Sequence, residues 1–359
     1  MPVRPLRLHG IVLPTGDRRD LFVDGGRLSF TPIDGAETVV EDGWLIPGLV
    51  DAHAHLALAS PAPEGSPVAA AVRASAKAQL DAGVLVIREP GGPSRDSREV
   101  GPHEQLPRVF SGGRFLAAPG GYFPGLAREV EPGDLAAAAV EESQASGHWA
   151  KVVGDFIDGR GVFAPTLELG ALRAAVDAVH AVGGRLAIHA MTAGAIEMAI
   201  EAGVDSIEHA TELAPEHLPA IARKGIALVP TMLIREPILA TARGMGLPDG
   251  EQRRWEEALD RQPEMVRRAS ATGVLVLAGT DAGMVAHGLI LDEVAQMMEA
   301  GLAGDVALGA ASWTARRFLG LPGIEEGAPA DIVAFGGDPR LPGRAGPPLV
   351  RILDGRVVG

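Results

Sequence analysis

Leu45-Ile46-Pro47-Gly48-Leu49-Val50-Asp51-Ala52-His53-Ala54-His55-Leu56 is an apolar, strand-like run that ends in two histidines one residue apart. Side chains alternate along a strand, so His53 and His55 leave it on the same face. Two imidazoles projecting together just past a buried strand can grip one divalent metal, and histidine is the commonest metal ligand. A surface turn containing two histidines would look the same, so the motif gains meaning only if other segments supply further ligands.

Outward from this run, short apolar strands alternate with alanine-rich helical stretches, the signature of parallel βα units. Eight strand candidates are Leu45–Val50, Val84–Arg88, Arg108–Ser111, Trp149–Val153, Arg185–His189, Ser206–His209, Ala227–Pro230 and Val274–Gly279. Eight is the number that closes a barrel. Helices are expected over Val68 to Asp81, Pro132 to Ser146, Leu167 to Val182, Ala193 to Ala202, Pro215 to Lys224 and Glu251 to Thr272, several of them stopped by glycine. The two chain ends read differently, as short strands broken by turns: Leu6 to Leu13, Asp20 to Val23, Leu28 to Phe30, Thr38 to Val40, then Ala330 to Phe335 and Leu349 to Val358. The expected fold is therefore α/β, with a barrel over residues 47–325 and one small discontinuous β domain from residues 1–46 and 326–359; two independent edge additions remain open.

Composition narrows the function. The 359 residues suit a barrel of about 250 residues with an appended unit. A formal charge of −14 disfavours a nucleic-acid partner, which needs clustered lysine and arginine. With no cysteine, any metal must rest on nitrogen and oxygen ligands. No apolar run reaches membrane-spanning length and no apolar segment follows the basic N-terminus, so a cytoplasmic protein is expected.

In such a barrel the working residues sit at the C-terminal ends of strands, where the unusual polar residues fall. His53 and His55 follow the first strand, Lys151 lies in the fourth, His189 ends the fifth, His209 the sixth, and Asp281 follows the eighth in Gly279-Thr280-Asp281-Ala282-Gly283. Taken singly, His189 reads as a core histidine bonded to a carbonyl, Asp281 as a helix N-cap and Lys151 as a snorkelling lysine. Together they put four histidines, an aspartate and a lysine on five strands at one face, which argues for a metal site.

The order His-x-His, Lys, His, His, Asp, preceded by Leu45-Ile46-Pro47-Gly48-Leu49-Val50-Asp51 and closed by Gly279-Thr280-Asp281-Ala282-Gly283, resembles the amidohydrolase superfamily of metal-dependent hydrolases, nearest its imidazolonepropionase-related and Xaa-Pro dipeptidase (prolidase)-like branches. The resemblance covers essentially the whole chain. It implies a (β/α)8 TIM barrel with a β-sandwich built from both ends. It also implies that His53, His55 and Asp281 hold one metal, that His189 and His209 hold another, and that Lys151, carboxylated by carbon dioxide, bridges two zinc ions. Two dications about 3.5 Å apart repel by about 19 kcal/mol at an effective dielectric near 20, so anionic bridging ligands are physically apt. Coordination lowers the pKa of water from 15.7 towards about 7, giving a hydroxide nucleophile, with Asp281 as the proton shuttle.

The expected reaction is cleavage of a C–N bond in a small-molecule substrate such as an N-acyl amino acid or dipeptide. A mononuclear aminohydrolase or cyclic-amide hydrolase without Lys151 as ligand is the enzymatic alternative, and a metal-bound scaffold the non-catalytic one. Assembly into a homo-oligomer stays open. Tyr122, the single tyrosine, lies in a glycine- and proline-rich loop placed to overhang the site, and is a substrate-contact candidate; His287, after the eighth strand, resembles a family position close to the pocket and reads equally as a plain loop histidine. Arg88 is expected to pair structurally with Glu89, with substrate contact as the lesser reading. Arg160 and Arg235 could receive a carboxylate but read more simply as surface arginines. The Val152-Val153-Gly154-Asp155-Phe156 stretch after Lys151 departs from the Ser-Gly-Gly common in relatives, which weakens transfer of a substrate class.

Overall fold

In a computed structural model describing residues 4–359, the expected parallel α/β middle is present. Leu49–Asp51 pairs in parallel with Val84–Glu89, and that strand with Arg108–Ser111. The third position is split. After Gly112-Gly113-Arg114 the chain resumes as Phe115–Ala117, which pairs onward with Trp149–Val153, and a bridge between Gly92 and Arg114 spans the break. From there the parallel order continues through Arg185–Ala190, Ser206–His209, Ala227–Val229 and Leu275–Val276. The last strand returns to the first: Ala52 N–H donates to Ala278 O at 2.9 Å, and Asp281 N–H to His53 O at 2.7 Å. All eight expected strand regions take part. Val84–Glu89 and Trp149–Val153 are buried at every residue, as strands covered on both faces must be.

The run expected as one strand, Leu45–Val50, is divided between two sheets. Trp44–Pro47 lies antiparallel to Ile332–Phe335 in the terminal sheet, whereas Leu49–Asp51 opens the parallel series. The break falls where Pro47 lacks an N–H and Gly48 lies so close to Leu85 that a Cβ would sit 2.5 Å from its Cδ1. The two chain ends therefore join one eight-stranded sheet, in the order Arg356–Val357, Pro348–Leu353, Ile332–Phe335, Trp44–Pro47, Leu6–Val12, Asp17–Asp24, Arg27–Ser29, with Glu37–Val40 beside Leu6–Val12. Its apolar side chains, including Leu8, Leu21, Leu45, Ile332 and Ile352, form a cluster apart from the main core. Independent edge additions do not fit this pairing.

The helices follow the sequence closely. Leu169–Ala181 and Ala193–Ala202 return the chain between strands, the latter capped by Thr192 Oγ1, which accepts from Ala195 N–H, and stopped at Gly203 in the left-handed region. Four helices were not anticipated: Arg235–Gly244, Ile290–Glu299, Gly304–Ala310 and Trp313–Phe318. None of the helices among the described residues is long and apolar enough to cross a membrane.

The split third strand is tied down by charge. Glu142, fully buried on Leu135–Ser146, accepts from Arg95 Nε at 2.8 Å, Arg114 N–H at 3.1 Å, Arg114 Nε at 3.0 Å and Arg128 at 3.2 Å. Burial pushes this carboxyl up, but the hydrogen bonds from Arg95 and Arg114 outweigh it and bring it from 4.5 down to about 2. A depressed folded-state pKa stabilises the fold fully above the unfolded value and loses effect as pH falls through the folded one. Glu142→Ala is expected to cost about 2–3 kcal/mol at pH 7, below the range for a fully buried pair because the arginines reach solvent. Urea unfolding should show that cost shrinking at pH 3; a cost equal at both pH values would contradict the assignment.

Candidate metal centre

The sequence-predicted ligands meet at the C-terminal ends of the parallel strands. Imidazole centroids run in a chain: His55 to His53 at 4.9 Å, His53 to His209 at 5.0 Å, and His209 to His189 at 4.7 Å. Lys151 and Asp281 line the same cavity as these four rings, and Lys151 is almost wholly buried. His53, His55 and Asp281 each present one ligand atom, all within 4.8 Å of one another.

Proton bookkeeping shows what this arrangement asks for. His53 Nδ1 lies 2.8 Å from Glu208 Oε2, and His55 Nδ1 lies 2.8 Å from the Gly91 carbonyl. Both partners only accept when Glu208 is ionised, so each Nδ1 carries the proton. Burial opposes the Glu208 charge, but Arg88 and Lys151 hold it well below the usual carboxylate range. Burial pushes His53 down to about 4 and His209 well below its ordinary value, so these rings are neutral at pH 7. His53 then bears its lone pair on Nε2, and His55, with Nδ1 committed to the Gly91 carbonyl, turns its Nε2 to the same point. The two Nε2 atoms face each other at 3.1 Å and face Asp281 Oδ1 at 3.4 and 3.2 Å. Asp281 Oδ1 is buried with no hydrogen-bond partner. Three acceptors converge without a proton between them, a repulsive geometry that a divalent cation resolves. The donor set fits a metal.

The second half is oriented likewise. His209 Nδ1 sits 2.8 Å from Thr231 Oγ1, whose own hydroxyl donates to Pro230 O at 2.8 Å, so the ring must donate through Nδ1 and keeps the Nε2 lone pair. His189 Nε2 lies 3.4 Å from Asp155 Oδ1, with no hydrogen bond between them. Asp155 is itself fixed, its Oδ2 accepting from Met191 N–H, Thr192 N–H and Thr192 Oγ1. Lys151 is pushed down from 10.5 to about 8 by burial and Arg88, which raises the fraction of free amine, the form that reacts with carbon dioxide.

Backbone geometry brings these groups to one place. Asp51, in the opening run, accepts from His53 N–H at 3.2 Å and Thr280 N–H at 3.0 Å through Oδ1, and from Thr280 Oγ1 at 2.6 Å and Gln79 at 2.9 Å through Oδ2. It thereby locks the first strand end to the last. A Cβ on Gly279 would lie 2.6 Å from His53 Cβ, so this close approach requires glycine. His209, Thr231 and Asp281 all adopt left-handed φ values, 68°, 49° and 53°, which cost non-glycine residues roughly 1–2 kcal/mol each; His209 and Asp281 line the cavity and Thr231 lies behind His209.

Other expected contacts divide. Tyr122 lines the cavity, its ring 5.8 Å from His189. Arg88 is a correction: it is fully buried beneath the histidines, outside the cavity lining, and its partner is Glu208 at 2.9 Å rather than Glu89. It also bonds Ala52 O and Ser206 Oγ and stacks over Trp149. Glu89 instead accepts from Leu56 N–H and Ser97 Oγ. His287 is a second correction. Its Nε2 bonds Leu58 O at 3.0 Å, and the ring is absent from the cavity wall. Asp281 caps no helix, since the following helix, Ile290–Glu299, begins nine residues later. Arg160 and Arg235 are bound to surface carboxylates. Glu208, Asp51, Asp155 and Thr231 were missed, although Glu208 stands directly before His209 and strand alternation alone would have turned it to the opposite side.

Four imidazoles, an aspartate and a buried lysine gathered at parallel strand ends, three of them close enough to share one metal ion, define the class of α/β protein at hand. The chain belongs to the amidohydrolase family, whose model matches residues 44–358. Uncharacterized proteins of Mycobacterium bovis and Mycobacterium tuberculosis are 39% identical over 362 residues, covering 99% of this chain and 97% of theirs. A Xaa-Pro dipeptidase with methionine bound in its active site superposes with a TM-score of 0.82 at 23% identity, covering 99% of this chain and 100% of that one. A prolidase complexed with N-methylphosphonate-L-proline gives 0.81 at 23% identity, with 99% of each chain covered. The protein is thus a hydrolase of this family with a prolidase-like fold.

Proposed function

We propose that the protein is a metal-dependent amidohydrolase that cleaves the C–N bond of a small amide, the class that includes N-acyl amino acids and dipeptides. His53, His55 and Asp281 would hold one divalent ion, His189 and His209 a second, and a carboxylated Lys151 would bridge them, with zinc the expected metal. The observation that carries this reading is the convergence of two imidazole lone pairs and an unpartnered carboxylate oxygen at 3.1–3.4 Å. When bound, such ions acidify water and polarise a scissile carbonyl.

The chain's own groups do the remainder. Glu208 and the Gly91 carbonyl hold the His53 and His55 protons on Nδ1 and so keep Nε2 free. Asp281, ionised and beside the cavity, can take a proton from the attacking water and return it to the departing amine nitrogen. Apolar walls border this exchange. We also read the parallel ring as a closed (β/α)8 barrel over residues 47–325. The terminal sheet, with its separate apolar cluster, is read as the discontinuous β-sandwich domain of residues 1–46 and 326–359.

Metal analysis of pure protein tests the bridge. Wild type is expected to carry about two zinc ions per chain and Lys151→Ala about one or fewer, with activity lost in parallel. One ion in both proteins with activity kept would favour the mononuclear aminohydrolase instead.

A further inference from the structure

The cavity beside the metal cluster has a chemically one-sided wall. Beyond the six proposed ligands, its polar side chains are Tyr122 and Thr241, and the rest of the lining is apolar, with Phe123, Phe156, Phe163, Met191, Ile234 and Ile238 prominent. These come from the loops after the third, fourth, fifth and seventh strands, so the apolar character is shared by most of the mouth. Four aromatic rings, Phe115, Tyr122, Phe123 and Phe156, form a contact chain with centroids 5.0–5.6 Å apart beside His189.

No arginine lines this cavity, and Lys151 is its one lysine, at the cluster itself. Arginines on the neighbouring segments are largely paired, Arg160 with Asp158, Arg235 with Glu236 and Asp260, and Arg254 with Glu212 and Glu251, while the exposed Arg243 stands outside the lining. His287 is turned to the Leu58 carbonyl. Tyr122 presents a phenol hydroxyl, an uncharged donor and acceptor, to the same cavity. A carboxylate placed in this chamber would lose its hydration and find no cation in the wall beyond the cluster to replace it. A bulky apolar group would gain by leaving water.

We propose that the substrate is an uncharged amide carrying a bulky aryl or branched alkyl group, and that a free carboxylate beside the scissile bond is selected against. This rests on the hydrolase reading above and narrows it, excluding dipeptides and N-acyl amino acids as preferred substrates. The cut is ordinary hydrolysis: water adds across the C–N bond, the acyl carbon gaining the oxygen and the nitrogen leaving as amine.

The test compares N-phenylacetyl-leucinamide with N-phenylacetyl-leucine, near-isosteres whose terminal groups are a neutral amide and a carboxylate. Zinc-loaded wild type should show a kcat/KM for cleavage of the phenylacetyl amide at least about tenfold higher for the neutral compound. Calorimetry with the pair of analogues whose scissile nitrogen is replaced by methylene should show the same order in Kd. Met245→Arg, at an exposed position on the cavity rim, should shift the ratio of the two kcat/KM values towards the acid by about tenfold. Equal or tighter binding of the acid overturns the substrate inference and leaves the hydrolase reading standing. Tighter binding of the neutral analogue with neither compound hydrolysed supports the pocket inference and removes the hydrolase reading.

Discussion

Asp281→Asn is expected to lower kcat/KM by about 10³-fold or more while leaving the fold intact, the range attached to loss of a positioned acid–base group. Asparagine matches aspartate in shape and tolerates the left-handed backbone that position 281 adopts, so strain does not confound the result. What disappears is the charge. Burial disfavours that charge, yet the carboxyl stays well below the usual carboxylate range beside His53, His55 and His209, and the wild-type group is ionised at pH 7. An amide cannot take a proton from water at neutral pH, and it is a weaker ligand for a cation. Steady-state kinetics on whichever amide is cleaved, together with a melting curve, checks this. Activity within tenfold of wild type would move the proton shuttle elsewhere.

Glu208→Ala should be the most damaging single change to stability outside the apolar core, at about 3–5 kcal/mol. Glu208 and Arg88 are both fully buried, and the arginine keeps only Ala52 O, Ser206 Oγ and the Trp149 face when its carboxylate is removed. The same change frees His53 Nδ1, so retained metal should bind about 10–100-fold more weakly. Glu208→Gln keeps the shape and one acceptor oxygen, and separates the two effects: its fold should survive to be titrated with zinc. Chemical unfolding and zinc affinity of both variants give the comparison. Unchanged zinc affinity in Glu208→Gln would deny the carboxylate its role in orienting His53.

The site was legible where chemistry and local pattern coincide. His53 and His55 are separated by one residue on a strand, and alternation turns them the same way. His189, His209 and Asp281 each stand at the end of an apolar run, a place that can be read without knowing what lies beside it. Arg88 keeps the structural role expected of it, but its partner was misassigned, because a neighbour in sequence says nothing about which strand lies across the barrel. It lies under the histidines because strand alternation and closure of the sheet put Glu208 opposite it across 120 residues of sequence. For His287 the fold decides between its two readings: a loop histidine turns to whatever carbonyl is brought near, here Leu58 from another loop.

By itself the sequence determined the eight parallel strands, most of their helices, the pairing partners available at the two ends, and the identities of the histidines, lysine and aspartate at the strand ends. These depend on hydrophobic runs, glycine stops and residue types, which act over a few neighbouring residues. Only the tertiary structure decided which imidazole nitrogen carries the proton, that Glu208 serves His53 and Arg88 together, that the third strand is broken in two, and that the cavity wall is apolar. Each of these is set by groups from distant segments meeting at short range, where an acceptor 2.8 Å away dictates a tautomer and four separate loops must be superposed before their shared polarity exists.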